Sequence, residues 1–280
     1  MNKLTKTLLV AGLLALSAVC MMGAAGKKVV TIKGSDTMVI LAQRWAEAYM
    51  AKHPDVTVQV TGGGSGVGLS ALINGTTDIA DASRPMKKSE MEKLKQRYST
   101  LGYEIKAAKD GITLYINESN PVSELTLDQI KGIYLGEITN WKDVGGPNAK
   151  IVLYGRENSS GTFTYFRDNV LGGKDYSSTT QSLPGTAAVV NAVSKDKLGI
   201  GYGGAAYAKG IKIVKVKKDA SSRAYEPTAE TIKSNNYPIT RYLYMYTRSK
   251  PTGAMKEYVD WVLSSEGQAV VTKVGYFPVN

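Results

Sequence analysis

Residues 151–170 read IVLYGRENSSGTFTYFRDNV: an apolar, strand-like run, then a polar loop, then a helical pattern. The loop supplies Arg156 and places Ser160, Gly161 and Thr162 at the start of the predicted helix. The first turn of a helix exposes unpaired N–H groups at the positive end of the helix dipole. An oxyanion can accept these bonds, and hydroxyls and a guanidinium add donors. Ordinary N-capping accounts for the same residues, so this stretch alone leaves both interpretations open.

Two further strand-to-helix turns have a similar composition. Residues 34–38 (GSDTM) follow a predicted strand at 29–32, and residues 61–68 (TGGGSGVG) follow one at 56–60. Residues 81–85 (DASRP) are a fourth candidate. The glycine loop lacks the Lys-Ser/Thr ending of a Walker A loop and has Val67 where the dinucleotide fingerprint requires glycine. The repetition favours anion binding over coincidental capping.

Strand-like and helix-like segments alternate along most of the chain. Helical spacing covers residues 38–49 and ends before Pro54, Ser89 is the predicted cap of a helix at 90–98, and two helical stretches divide near residue 264. This alternation predicts an α/β fold with mixed or parallel sheets and helices on both faces. Ligands of such folds bind at the carboxyl ends of the strands.

The inventory of reactive side chains is small. His53 is the one histidine, and Cys20 is the one cysteine. A His-based triad or a conventional zinc site therefore cannot be assembled. We expect no metal, no cofactor and no enzymatic activity.

The formal charge of +11 suits an anionic partner. The lysines are scattered or lie in short groups, however, and no long basic run occurs. We therefore expect no binding of nucleic acid.

The first 25 residues have the pattern of a secretory signal. Lys3 and Lys6 precede an apolar run at 8–19, and small residues at 23–25 predict cleavage near Ala25. Cys20 lies within this leader and is either an inert residue or the lipidated cysteine of a lipoprotein. The apolar run is too short to span a bilayer comfortably, and we expect an exported protein without membrane-spanning segments.

The motifs of this sequence resemble those of a known family, the phosphate-binding proteins of bacterial ABC transporters. The motifs that carry the resemblance are GSDTM at 34–38, TGGGSGVG at 61–68, NGTTDIADASRPM at 74–86, LTLDQIKGIYLGEITNWKDVGG at 125–146 and GRENSSGTFTYF at 155–166. They occur in the order of the family and cover essentially all of the chain after the leader.

The resemblance implies a two-domain, periplasmic-binding-protein-like fold of type II, with mixed sheets flanked by helices. Domain 1 would comprise residues 26–108 and 236–280, and domain 2 residues 109–235. Inorganic phosphate would bind in the interdomain cleft and pass to a permease in the membrane. The protein would be a periplasmic monomer. The residues that would bind phosphate are Thr37, Met38, Ser65, Ser83, Arg156, Ser160, Gly161 and Thr162.

The sequence departs from some relatives at Ser83, where they carry an aspartate that accepts the proton of hydrogen phosphate. Such an acceptor rejects sulfate, which has no proton to donate. Asp36 is the preferred replacement here and Asp81 the second candidate, while Glu157 or Asn158 would orient Arg156. The departure keeps sulfate, tungstate or arsenate open as alternative ligands. A secreted phosphatase and an adhesin with a vestigial pocket are more distant alternatives.

Overall fold

The computed structural model describes residues 27–279. The predicted signal peptide, Ala25 and Cys20 lie outside these residues. Ten strands are present among the described residues: β1 (Lys28–Gly34), β2 (Val56–Thr61), β3 (Ile79–Ala82), β4 (Tyr103–Ile116), β5 (Glu124–Thr126), β6 (Val152–Arg156), β7 (Gln181–Leu183), β8 (Gly199–Gly204), β9 (Lys212–Lys217) and β10 (Thr240–Thr247).

Nine α-helices follow or separate these strands in the same part of the chain. They are α1 (Val39–Met50), α2 (Ser65–Asn74), α3 (Lys88–Tyr98), α4 (Leu127–Leu135), α5 (Gly161–Asn169), α6 (Thr186–Lys195), α7 (Ala229–Lys233), α8 (Gly253–Leu263) and α9 (Ser265–Val274). The predicted α/β class is confirmed. No helix of the described range is long and apolar enough to cross a bilayer.

The strands form one mixed sheet in the order β2-β1-β3-β10-β4-β8-β6-β7, with β9 pairing β4 and β5. β1 pairs in parallel with β2 and β3, and β6 pairs in parallel with β7 and β8. β10 is antiparallel to both β3 and β4. The prediction of a mixed sheet flanked by helices is therefore confirmed.

The long strand β4 connects two separate apolar cores. Its first half pairs with β10, and residues 112–116 pair with β8. One core contains Trp45, Tyr49 and Tyr258, whereas the other contains Trp141 and Phe166. We call β1, β2, β3, β10, α1, α2, α3, α8 and α9 the β1 side, and β5 to β9 with α4 to α7 the β6 side. The division into two domains near residues 108 and 236 stays a prediction.

The helices form where their apolar spacing matches one buried face. In α1 the buried residues are Leu41, Ala42, Trp45, Ala46 and Tyr49, which recur at intervals of three or four. The indole N–H of Trp45 donates to the carbonyl of Gly267 at 2.7 Å and fixes α1 against α9. α1 therefore has a set position relative to the sheet.

The predicted cap of α3 is wrong. The helix begins at Lys88, so Ser89 lies inside it. The N–H of Lys87 donates to the carboxylate of Glu90 at 2.7 Å, which satisfies one of the donors at this helix end. Glu90 is the acidic residue that a capping box requires at this position.

Gly68 determines how closely α2 approaches β1. A Cβ atom at this position would lie 2.3 Å from the carbonyl oxygen of Lys33 and 2.5 Å from the Cα of Gly34. Both are backbone atoms and cannot rotate away. Glycine at 68 therefore lets α2 lie directly against β1.

We predict that Gly68→Ala destabilises the protein by about 1–3 kcal/mol, the usual cost of overpacking. Urea unfolding measures this directly. Ser70→Ala on the exposed face of α2 is the matched control, and its free energy of unfolding should change by less than about 0.5 kcal/mol. An unchanged stability of Gly68→Ala would contradict the close approach of α2 and β1.

Candidate anion-binding site

Three strand-to-helix turns lie at one edge of the β1 side. Because β1 is parallel to β2 and β3, the carboxyl ends of all three strands meet there. The turns lead into α1, α2 and α3. The first turn of each helix brings unpaired N–H groups to this edge, so the edge is suited to an anion.

The glycine loop before α2 is held by hydrogen bonds to the turn before α1. The Gly63 N–H donates to Asp36 Oδ1 at 2.8 Å, and the Gly64 N–H donates to the carbonyl of Gly34 at 2.9 Å. Gly63 and Gly64 have φ of +114° and +94°, which side chains disfavour. A Cβ atom at Gly64 would lie 2.6 Å from the Ser159 carbonyl oxygen. The absence of side chains in this loop thus allows the β6 side to approach the β1 side closely.

Predicted residues from three motifs meet at the start of α2. The Ser83 N–H donates to Ser65 Oγ at 3.0 Å, and the two hydroxyl oxygens are 3.3 Å apart. Gly161 of the β6 side lies against both serines, since a Cβ atom there would be 2.2 Å from Ser65 Oγ and 2.7 Å from Ser83 Oγ. The three residues therefore lie in close contact at the start of α2.

The start of α5 supplies the other half of the cluster. Ser160 Oγ accepts from the N–H groups of Thr162 and Phe163, both at 3.2 Å. The N-capping interpretation of Ser160 is therefore correct. Thr37 Oγ1 and Thr162 Oγ1 lie 2.9 Å apart and join the β1 side to the β6 side. All four of these residues are in the stretch or the turn that the sequence selected.

Arg156 is buried and held by three partners. Its Nε and Nη2 donate to the two oxygens of Glu157 at 3.1 and 2.9 Å, Nη1 donates to Thr186 Oγ1 at 2.8 Å, and Nη2 donates to Asp36 Oδ2 at 2.9 Å. Of the two candidates for orienting Arg156, the structure therefore selects Glu157. Partial burial opposes ionisation of Glu157, but the hydrogen bonds and charge of Arg156 lower its pKa below the usual range.

Asp36, the preferred candidate for proton acceptor, already accepts a hydrogen bond on each carboxylate oxygen, and its role as proton acceptor stays a prediction. Oδ2 pairs with Arg156 across the two sides, and Oδ1 accepts the N–H of Gly63. Both oxygens therefore already have donors. Asp36 orients the guanidinium and the glycine loop.

Met38 is placed differently from the other predicted residues. Its N–H donates to the carbonyl of Ser35 at 2.9 Å, and its side chain is buried in the core of the β1 side. An anion would have to compete with Ser35 for this N–H group. Anion binding by Met38 stays a prediction.

Asp81, the second candidate for proton acceptor, directs its carboxyl group into the core of the β1 side. It is 3% exposed, and burial raises its pKa from the usual 3.8 to about 8. Burial, and next the nearby charge of Asp81, raise the pKa of Tyr258, which belongs to that core. The group is therefore a neutral acid at pH 7 within this core.

Three partners of the site were not selected from the sequence. Thr186 binds Arg156 at the start of α6, the Tyr207 hydroxyl donates to the Asp36 carbonyl at 2.6 Å, and the Tyr276 hydroxyl donates to the Thr37 carbonyl at 2.5 Å. Burial, followed by the charge of Asp36, raises the pKa of Tyr207 to about 12. Thr186 at a predicted helix start carried a local signal, whereas the two tyrosines carried none.

Comparison with known proteins agrees with this geometry. A family model described as a PBP superfamily domain matches residues 23–266. The fold and this match define a binding protein of the PBP superfamily.

Comparison with individual relatives shows to which family of this superfamily the chain belongs. The chain is 32% identical to the phosphate-binding protein PstS of Pseudomonas aeruginosa over 263 residues, which cover 88% of this chain and 81% of that protein. It is 35% identical to PstS of Staphylococcus epidermidis over 247 residues, 85% of this chain and 75% of that protein. The chain therefore belongs to the PstS family of phosphate-binding proteins.

Solved structures show the same similarity. A phosphate ABC transporter substrate-binding protein from Clostridium perfringens, with bound phosphate, has a TM-score of 0.82 and 31% identity over 90% of this chain and 100% of that chain. An ABC-type phosphate transport receptor from Vibrio cholerae has a TM-score of 0.71 and 29% identity over 89% of this chain and 99% of that chain. The periplasmic-binding-protein-like fold implied by the sequence motifs is thereby confirmed.

The buried acid Asp81 predicts a pH-dependent difference in stability. The unfolded chain ionises Asp81 near pH 4, whereas the folded chain keeps it neutral until about pH 8. The folded state holds the extra proton in between, so the stability present below pH 4 is lost as the pH rises to about 8. Asp81→Asn, which has no proton to lose, should therefore gain stability over the unmodified protein by on the order of 2–5 kcal/mol between pH 4 and 9.

Urea unfolding at pH 5, 7 and 9 measures this difference. Asp55→Asn is the control, because Asp55 is exposed and pairs only loosely with Lys28 at 3.5 Å. Its difference from the unmodified protein should stay nearly constant. A constant difference for Asp81→Asn would contradict the neutral buried acid.

Proposed function

We propose that this protein is an extracytoplasmic solute-binding protein that captures inorganic phosphate and delivers it to the permease of an ABC transporter. The observation that carries the proposal is the meeting of two helix starts, α2 and α5, with the buried Arg156 and the hydroxyls of Thr37, Ser65 and Thr162. Such N–H and O–H donors suit a tetrahedral oxyanion. Membership of the PstS family supports phosphate as that anion.

Capture would involve two domains, residues 26–108 with 236–280 and residues 109–235, that close on the anion. Contacts across the site support closure as the mechanism: the Gly66 N–H donates to the Ser159 carbonyl at 2.9 Å, and Asp36 pairs with Arg156 at 2.9 Å. The anion would be held by Thr37, Ser65, Ser83, Arg156 and the start of α5.

The protein would work as a monomer in the periplasm after cleavage of its signal near Ala25, or remain anchored through a lipid on Cys20. Its family is one of binding proteins, and reversible binding without turnover is the proposed chemistry. Turnover of a generic phosphoester by the pure protein, lost on mutating Ser65 or Ser160, would instead support the phosphatase alternative.

Calorimetric titration of the protein, stripped of bound anion, tests the proposal. Phosphate should bind with a Kd of about 1 μM or lower, equivalent to about −8 kcal/mol, and sulfate should give no heat. If sulfate, tungstate or arsenate binds more strongly than phosphate, that anion is the cargo instead. Absence of binding by every oxyanion would overturn the proposal.

We predict that Arg156→Lys weakens phosphate binding by about 100-fold. A lysine supplies one point charge and cannot keep the forked contacts to Glu157, Thr186 and Asp36 at once. The same titration measures the loss. Arg44→Lys is the matched control, because Arg44 forms an exposed pair with Glu47, and its affinity should stay within about twofold. Comparable affinities of the two variants would exclude Arg156 from the site.

We predict that Gly161→Ala weakens phosphate binding by at least about 100-fold with little loss of thermal stability. The new Cβ would lie 2.2 Å from Ser65 Oγ and 2.8 Å from Ser65 Cβ, so the β6 side must move away from the β1 side. Gly66→Ala is a graded comparison, because its Cβ would meet the Ser159 carbonyl oxygen at 3.3 Å. A larger effect at Gly66 than at Gly161 would count against closure through Gly161.

A further inference from the structure

A groove with apolar walls lies between the β1 side and the β6 side. Its walls are α1 and the last turns of α9 on the β1 side, and α6 on the β6 side. The 3₁₀ turn Ala205–Tyr207, which follows β8, also lines it. Ala206 of this turn packs against the core of the β1 side. Residues of both sides are therefore needed to form the groove.

Each of the three helices contributes one stripe of side chains to the groove. The lining positions are 40, 44, 47 and 48 in α1, 187, 190, 191 and 194 in α6, and 270, 273 and 274 in α9. Spacings of three and four residues place each set on one face of its helix. Helix faces of this kind, arranged around a groove, are a surface against which a further helix packs.

The dimensions of the groove match a short helix. α1 lines it from Ile40 to Ala48, which corresponds to a helix rise of about 12 Å. A helix with its side chains is about 10–12 Å wide, so a segment of this length occupies about 900–1400 Å³. The volume of the groove is about 1170 Å³. The groove therefore accommodates about two turns of a further helix.

The walls of the groove are apolar and accessible. Ile40 is 41% exposed, although it lies on the helix that carries the largest side chains of the β1-side core. Val190, Val270 and Val274 are only half-buried. Apolar side chains that lie together in an accessible groove are typical of a protein-interaction surface.

Two lysines without ion pairs lie at this groove. Lys209 comes from the β6 side and Lys273 from the β1 side. Both are exposed, and neither has an acidic partner among residues 27–279. Arg44 pairs with Glu47 at 2.7 Å and adds no net charge. Carboxylates on a partner would therefore be complementary to the groove.

The groove adjoins the anion-binding cluster. Tyr207 lines it, and the hydroxyl of Tyr207 donates to the carbonyl of Asp36 at 2.6 Å. α6 begins at Thr186, whose hydroxyl accepts from Arg156 at 2.8 Å. A molecule in the groove would therefore contact both sides close to the bonds that join them.

We propose that this groove binds one amphipathic helix of a partner protein. The apolar face of that helix packs against α1, α6 and α9, and its acidic residues lie beside Lys209 and Lys273. The helix binds outside the anion-binding cluster, and its recognition does not depend on which anion the cluster takes.

Fluorescence anisotropy with a labelled synthetic peptide tests the proposal. The probe is an acetylated and amidated peptide of about 15 residues, with leucines at i, i+3, i+4 and i+7 and glutamates beside them. It should bind the unmodified chain, in the presence of phosphate, with a Kd of about 100 μM or lower. The same peptide with lysine in place of each glutamate should bind at least about 10-fold more weakly.

Absence of binding by the acidic peptide, or equal binding of the two peptides, overturns the proposal. Calorimetric titration with phosphate reports separately on the proposed function, so failure of one proposal is distinguishable from failure of the other.

Substitutions locate the peptide on the chain. Ile40→Asp puts a charge into the apolar wall, at a helix start where an acidic residue suits the dipole, and should weaken binding of the acidic peptide by at least about 10-fold. Leu101→Asp is the matched control, because Leu101 is 55% exposed and lies outside the groove. Equal effects of the two substitutions would overturn the assignment to this groove.

Charge reversal tests the electrostatic part. Lys209→Glu combined with Lys273→Glu should make the chain bind the basic peptide more tightly than the acidic one. Lys250→Glu, at an exposed lysine outside the groove, should leave the preference for the acidic peptide unchanged. An unchanged preference in the double variant would overturn the proposal.

Sedimentation of the unmodified chain tests the competing occupant, a second copy of the chain. A monomer leaves the groove free for a partner helix and supports the proposal. A dimer that Ile40→Asp converts into a monomer would show that the second copy occupies the groove, and would overturn the proposal.

Discussion

The burial of Arg156 is the constraint on which the candidate site depends. A guanidinium that is 2% exposed must be paired, because an unpaired buried charge is very costly. Glu157 comes from the same loop, but Asp36 comes from the β1 side. The full set of partners therefore exists only when the two sides meet. Burial of this one cation couples the contact between the sides to the assembly of the site.

The same group of charges also shows what attracts an anion. Arg156, Asp36 and Glu157 carry one positive and two negative charges, and Asp110 with Arg241 adds none. Net charge at the cluster would therefore repel a dianion. Aimed N–H and O–H donors at the starts of α2 and α5 must supply the attraction. The overall charge of +11 can raise the local concentration of anions, but it does not account for binding at the cluster.

Local sequence determined what could be predicted of the fold. Gly75, Gly136 and Gly275 end three helices at φ of 77°, 78° and 105°, and each follows a visible apolar period. The first half of β4 escaped prediction because its lysines and alanines give no clear alternation. That half forms by pairing with β10, whose partner residues lie 129 to 144 positions later in the chain. Such pairing has no local signature.

In the site, too, residues within local motifs could be predicted, whereas contacts between residues far apart in sequence could not. Motifs at helix starts selected Thr37, Ser65, Ser83, Arg156 and residues 160–162. The fold brings the serines, the threonines and Gly161 together, and Arg156 is joined to them through Asp36. The role of Asp36 could not be predicted, since its partner Arg156 is 120 residues away. Proximity to Thr37 in sequence favoured Asp36 as an acceptor, but the tertiary structure occupies both of its oxygens.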